Sequence, residues 1–418
     1  MVFPGPGAGG DDPFGRVLRD LLNVMGGSAG GGAGIDLARA LAQGVATGGE
    51  VEGNVDPVER IQFEQLSHVA ELHVTELTGL SVTATGTLDV ATVAPGAWAW
   101  QTVEDWRFLL DAMAGPAPAP GTMGAGPAAG DAGEATPARD PGLGLADLDE
   151  DVEGDGPTAD LLARWVATLG PMMAAMQLGS AVGHLSRSTL GPYELPIPRP
   201  TPRLLVVPAN VLRFADEWSL PPDEVRLWVC LREITTQAVL SRPHVAARIR
   251  DLLLAVVAGM AEQAGGVMER LQELDLTRPE TLQGLMGDPS SLMSIEPSSA
   301  RRRVADELMA VVAALLGYVE HVLDLAAARL LGGRGQIAEA WRRRQMERAE
   351  AERAAEQMFG LDLGPGQIDR GADFVRGVHE RAGDTGLARL WSDARTLPTP
   401  PEVDAPGLWL ERIALDEA

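Results

Sequence analysis

The chain has 418 residues, enough for one large domain or two to three ordinary ones. Its 59 acidic residues against 34 basic ones leave a net charge of -25, and every basic residue is arginine. This balance excludes nucleic acid and anionic membrane surfaces as partners, since both bind through positive surface. A single cysteine excludes an internal disulfide and any Cys-rich zinc module.

Six histidines (His68, His73, His184, His244, His321, His379) are few for imidazole chemistry. Apolar residues at 45% suffice for a sizeable core, while 49 Gly and 30 Pro call for long loop-like stretches. The first residues lack the basic and apolar regions of a signal peptide. The apolar run near Leu252 to Met260 is too short to span a bilayer. A soluble, cytoplasmic protein is expected, from a genome whose richness in Arg, Ala, Gly and Pro codons suggests high GC content.

Residues 1–54 read as a Gly-rich flexible arm, in which Phe14 to Met25 and Ile35 to Ala46 form short tethered helices. Asp56 and Pro57 then make a strong helix start, and Gly79 a stop. This opens an N-terminal helical part of the core at 55–114. Trp98, Trp100 and Trp106 in that part read as core anchors. From 115 to 157 the chain is Ala-, Pro- and Gly-rich and then acidic (Asp147, Asp149, Glu150, Asp151, Glu153, Asp155). It reads as a disordered insertion, without the turn and distal Glu of a calcium loop.

The remainder, 158–415, is globular. Asp160 to Leu190 gives one or two helices and Leu204 to Val207 a short strand. Helices follow at 222–240, near 244–275, at 301–331 and, strongly charged, at 336–358. The pairs Glu339/Arg343 and Arg348/Glu352 stand one turn apart there and fit an exposed helix. Further helices fall at 371–382 and around Gly386 to Trp391. No phosphate loop or internal repeat is present. The fold class is mainly α with few short strands, one large domain carrying an arm and an insertion.

The informative helix reads Leu227-Trp228-Val229-Cys230-Leu231-Arg232-Glu233-Ile234-Thr235-Thr236-Gln237. Its register invites comparison with His-Glu-x-x-His, where two histidines four apart grip zinc and the Glu serves as general base. Here the chain reads Arg232-Glu233-Ile234-Thr235-Thr236. Further blocks carry a family resemblance: AELHVTELTGL (70–80), MQLGSAVGHLSRSTLGPYELPIP (176–198), RLLVVPANV (203–211), FGLDL (359–363) and FVRGVHERAGDTGLARLWSDARTLPT (374–399). In order and coverage they resemble an actinobacterial family of zincin-like metallohydrolases, known as zinc-dependent metalloproteases or as proteins associated with deazaflavin-coenzyme biosynthesis. Glu194 stands where that family has Asp.

The resemblance implies a zincin-like fold and a zinc site with ligands at 232, 236 and 316. It places the general base on Glu233. The three ligand positions hold Arg232, Thr236 and Leu316 instead. A guanidinium has no free lone pair and repels a cation, a threonine hydroxyl is a weak ligand, and leucine is none. Without metal, Glu233 has no activated water to deprotonate. Glu320 and His321 could in principle act as displaced ligands, with His244 a more distant candidate. Alternatively, Arg232 takes the metal's place and pairs with Glu233 or Glu320, a cation clamp between two helices. The expected function is that of a pseudoenzyme without zinc or another cofactor, binding a protein or peptide partner. A metallopeptidase with displaced ligands and a scaffold acting through its flexible acidic segments are the alternatives.

Overall fold

The computed structural model describes residues 32–83, 88–114, 157–201, 203–273, 299–332 and 334–415; the side chains at 157–169, 261–273 and 334 fall outside it, as do positions 1–31 and the insertion expected at 115–157, save Pro157. Along the chain run α1 (Ala33–Thr47), α2 (Pro57–Thr78), β1 (Asp89–Thr92), α3 (Pro95–Asp105), α4 (Arg107–Met113), α5 (Pro157–Ser186), β2 (Arg203–Val206), α6 (Pro208–Glu217), α7 (Pro222–Leu240), α8 (Pro243–Glu273), α9 (Ser299–Leu330), α10 (Arg334–Met346), α11 (Glu350–Met358), α12 (Pro365–Arg389), α13 (Pro400–Asp404) and α14 (Pro406–Leu415). The mainly helical expectation holds.

The helix starts and stops read from sequence are built as expected at α2. Asp56 accepts a hydrogen bond from the Val58 amide at 2.9 Å, and Gly79 closes the helix with φ 66°. The arm does not follow expectation throughout. Helix α1 lies within it, yet Ile35, Ala38 and Ala42 are buried against α5 and α3. Small residues make this contact possible. A Cβ at Gly179 of α5 would stand 2.6 Å from the Ala38 carbonyl oxygen. Composition that suggests a tether is here the composition of a close helix crossing.

Strand β1, unforeseen in the sequence, pairs in parallel with β2, from Asp89 opposite Arg203 to Thr92 opposite Val206. This two-stranded sheet hands the chain to α6. There Asn210 donates from Nδ2 to the carbonyls of Ser186 (3.0 Å) and Thr189 (2.7 Å), tying α6 to the end of α5. Of the three tryptophans read as anchors, Trp98 and Trp106 are buried, whereas Trp100 lies at the surface under Arg39.

Helix α9 is long and apolar enough to cross a membrane by those criteria alone, but 72% of its apolar window is buried by the other helices, as in the centre of a globular core. It crosses α12 at Gly317 and Gly371. The charged segment at 336–358 breaks in two. Glu339 and Arg343 pair on the surface of α10 at 2.7 Å. Arg348, expected to pair outward with Glu352, turns inward and binds Glu194 and Glu356, because the break between α10 and α11 redirects it.

Helix α7 is buried on nearly every face from Val225 to Leu240. Arg226 at its start forms a two-pronged pair with Glu59 of α2 (3.0 and 2.6 Å). Cys230 is 2% exposed, and burial, reinforced by the Glu233 carboxylate, pushes its thiol up to about 12. A thiolate is the reactive form. Native protein is therefore expected to be inert to Ellman's reagent and to release one equivalent only on unfolding. Rapid labelling under native conditions would contradict this burial.

Candidate functional site

A helix buried all round should be apolar. The middle of α7 instead buries Arg232, Glu233, Thr235, Thr236 and Gln237. Buried polar groups need partners. The two threonines find them within the helix: Thr235 donates to the Leu231 carbonyl (2.7 Å) and Thr236 to the Arg232 carbonyl (2.9 Å). Arg232 and Glu233 look outward to the loop after α5.

Tyr193 of that loop organises both. Its amide donates to Glu233 Oε2 at 2.8 Å, and its carbonyl accepts from Arg232 Nη2 at 3.3 Å. The Tyr193 hydroxyl donates to the Gln237 side chain. Arg232 and Glu233 also pair with each other through Nη1 and Oε1. Gly191 presses on this carboxylate so closely that a Cβ there would lie 2.6 Å from Glu233 Cδ. Burial pushes the Glu233 carboxyl above the usual carboxylate range, and the attraction of Arg232 and the Tyr193 amide only partly restrain it.

The guanidinium of Arg232 lies 4.5 Å from the centre of the Trp341 ring. Arg344 approaches the same ring at 4.9 Å, and Trp228 packs against it at 5.3 Å. Beyond them Glu194 accepts from Arg348 at 3.1 Å and faces Arg344 at 3.5 Å. Burial works against the charge on Glu194, but Arg344, Arg348 and Arg232 together outweigh it and hold this carboxyl below the usual range.

Arg232, Thr236, Leu316 and Glu320 line one cavity, together with Glu194, Trp341 and Arg348. Glu233 is fully buried and is not among the lining residues, while Arg232 and Thr236 of α7 face Leu316 and Glu320 of α9 across the same space. Only about 20 Å³ of it is left for solvent, room for about one water molecule. Glu194 Oε2 and Gln345 Oε1, both of cavity-lining residues, are buried without a protein hydrogen-bond partner. Glu320 is mostly buried, and burial raises its carboxyl despite the attraction of Arg342. His321, although adjacent in sequence, faces a different groove beside Asp384. His244 lies by Asp393 and Trp391. Trp341, Arg344 and the Tyr193 backbone were not singled out in the sequence. A tryptophan inside an arginine-rich helix was the signal available for the first two.

A sequence profile described as zincin-like metallopeptidase matches residues 34–410. The chain belongs to that family. No curated protein matches it. A crystal structure described as a putative hydrolase with a novel fold, from Chloroflexus aurantiacus, superposes with a TM-score of 0.58 at 18% identity, over 91% of this chain and 98% of that one. At that identity the likeness speaks to fold alone.

The residues at the ligand positions that the resemblance implies do not fit zinc: Arg232 is a cation, and of the carboxylates lining the cavity Glu194 is engaged by Arg348 and Arg344, which leaves Glu320. The best-placed base, Glu233, is consumed by Arg232 and the Tyr193 amide. Thr236 spends its proton on its own helix, and Leu316 offers no donor atom. A divalent cation here would also meet the guanidinium groups of Arg232 and Arg348, which line the cavity.

Proposed function

We propose that this zincin-family protein does not hydrolyse peptides and instead binds a protein or peptide partner at the mouth of the former catalytic cleft. The observation that carries this reading is the buried pair of Arg232 and Glu233, which puts a fixed cation and its carboxylate where metal chemistry needs a ligand and a free base. Arg232 then serves as the clamp between α7, the Tyr193 loop and α10 that a metal would otherwise provide. Its desolvated charge is compensated by Glu233, the Tyr193 carbonyl and the Trp341 face.

The cleft opens beside a groove of about 480 Å³ lined by Glu217, Trp218, Arg344, Glu347, Arg348 and Glu352. It combines an aromatic surface with charges of both signs, the pattern of a polar recognition site. A displaced-ligand hydrolase, the competing reading, needs Glu320 and His321 on one metal. The two side chains line separate cavities.

The test compares purified wild type with Glu233→Gln against a peptide library, with and without added zinc. Neither protein should cleave, and the wild type should bind library members with an affinity that Trp218→Ala reduces. Chelator-sensitive cleavage that disappears in Glu233→Gln would overturn the reading, as would a library that yields no binder.

A further inference from the structure

On the far side of α9 from the cleft, three groups of ligand type meet. His321 stands on α9, and His379 and Asp384 stand on α12. One ligand atom from each lies within 4.8 Å of the other two. The imidazoles of His321 and His379 are 5.1 Å apart between ring centres, and His379 Nε2 lies 3.1 Å from Asp384 Oδ1.

This meeting is not a property of a regular helix. Residues five apart on α12 would point about 140° apart around the axis at about 3.6 residues per turn. Asp384 reaches His379 because Gly383 leaves helical geometry, with φ 62° and ψ -162°. That conformation is open essentially to glycine alone. The kink sits immediately before the carboxylate that it redirects.

We infer that His321, His379 and Asp384 form a binding site for one divalent transition metal ion of the zinc class, separate from the family's cleft. The donor set supports that class. Two imidazoles with one carboxylate suit zinc, nickel or copper, whereas magnesium and calcium prefer all-oxygen cages. Zinc bonds of about 2.0–2.2 Å place tetrahedral ligands about 3.4 Å from one another. Closing from the observed spread needs about 1 Å of movement, and two of the three side chains are exposed and can supply it. Burial and the neighbouring His379 favour the neutral form of His321, which is the form that ligates.

Three protein ligands leave a fourth position open. On one side of the site runs a groove of about 300 Å³ lined by His321, Asp384, Tyr318, Leu77 and Leu325. None of its lining residues lines the cleft. A metal here would present its open position to solvent or to a molecule seated in that groove. The site stands or falls independently of the metal-free reading of the cleft.

The experiment titrates Zn²⁺ into full-length, chelator-stripped protein by calorimetry, and Co²⁺ by visible absorption. Wild type should bind one ion saturably at this site, with cobalt absorption bands of low coordination number. His379→Ala and Asp384→Asn should each weaken zinc by about tenfold or more, with unchanged circular dichroism. Gly383→Ala should weaken it as well, by moving Asp384 away. Glu320→Gln, in the other cavity, should leave binding unchanged. Absence of saturable binding would overturn the inference, and so would affinity indifferent to His379→Ala and Asp384→Asn or abolished by Glu320→Gln.

Discussion

Replacing Arg232 with alanine is expected to destabilise the protein by about 3–5 kcal/mol at neutral pH, because it strands a fully buried carboxylate. Glu233 is 0% exposed and keeps only the Tyr193 amide once the guanidinium is gone. The pH dependence follows from the direction of its shift. The Glu233 carboxyl is already raised by burial against the restraint of Arg232. A carboxyl whose pKa is higher folded than unfolded contributes stability below the unfolded value and loses it as pH rises through the folded one. Removing Arg232 raises the folded value further. The penalty should therefore be smallest in mild acid, where Glu233 carries its proton, and grow towards neutral and alkaline pH. Urea denaturation of both proteins across that range measures it. In the double variant Arg232→Ala with Glu233→Gln, the loss should be smaller than in Arg232→Ala alone, since no unpaired charge remains. A penalty independent of pH would show that the two groups are not coupled.

Gly371→Ala should cost about 3 kcal/mol or more, through overpacking against rigid backbone. A Cβ at Gly371 of α12 would fall 1.8 Å from the Ala313 carbonyl oxygen of α9. The reciprocal Cβ at Gly317 would fall 2.1 Å from the Gly371 carbonyl carbon. Neither neighbour is a flexible side chain, so the two helices would have to separate. Gly366, on the same helix with no atom within 4 Å of its would-be Cβ, supplies the control. Gly366→Ala should be neutral or slightly stabilising through helix propensity. Thermal denaturation of the two variants separates contact from propensity.

The resemblance places an expected ligand position at Leu316, directly before Gly317. Leu316 is partly buried against the core, whereas Gly317 is held by the backbone of α12, so the two neighbours are constrained by different contacts.

Local signals were legible in the sequence. Asp56, Pro57 and Gly79 bound α2 as expected, and the register of α7 put 232, 233 and 236 on the helix that carries the site. What escaped was set by contacts between distant segments. Glycines at 179 and 183 look like flexibility until α1 is laid across them. Arg348 looks solvent-facing until the break after α10 turns it onto Glu194. Tyr193, Trp341 and Glu233 come from three elements far apart in the chain, and no spacing rule brings them together. The approach of His379 and Asp384 depends on a kink at Gly383 that periodicity conceals.

Crystals grown with excess zinc and measured at the zinc absorption edge test the proposal that Arg232 stands in place of metal in the cleft. No anomalous density is expected among Arg232, Glu233, Thr236, Leu316 and Glu320, with the Arg232 guanidinium against Glu233 and Trp341. An anomalous peak within bonding distance of Glu233 or Glu320 in that cavity would contradict it.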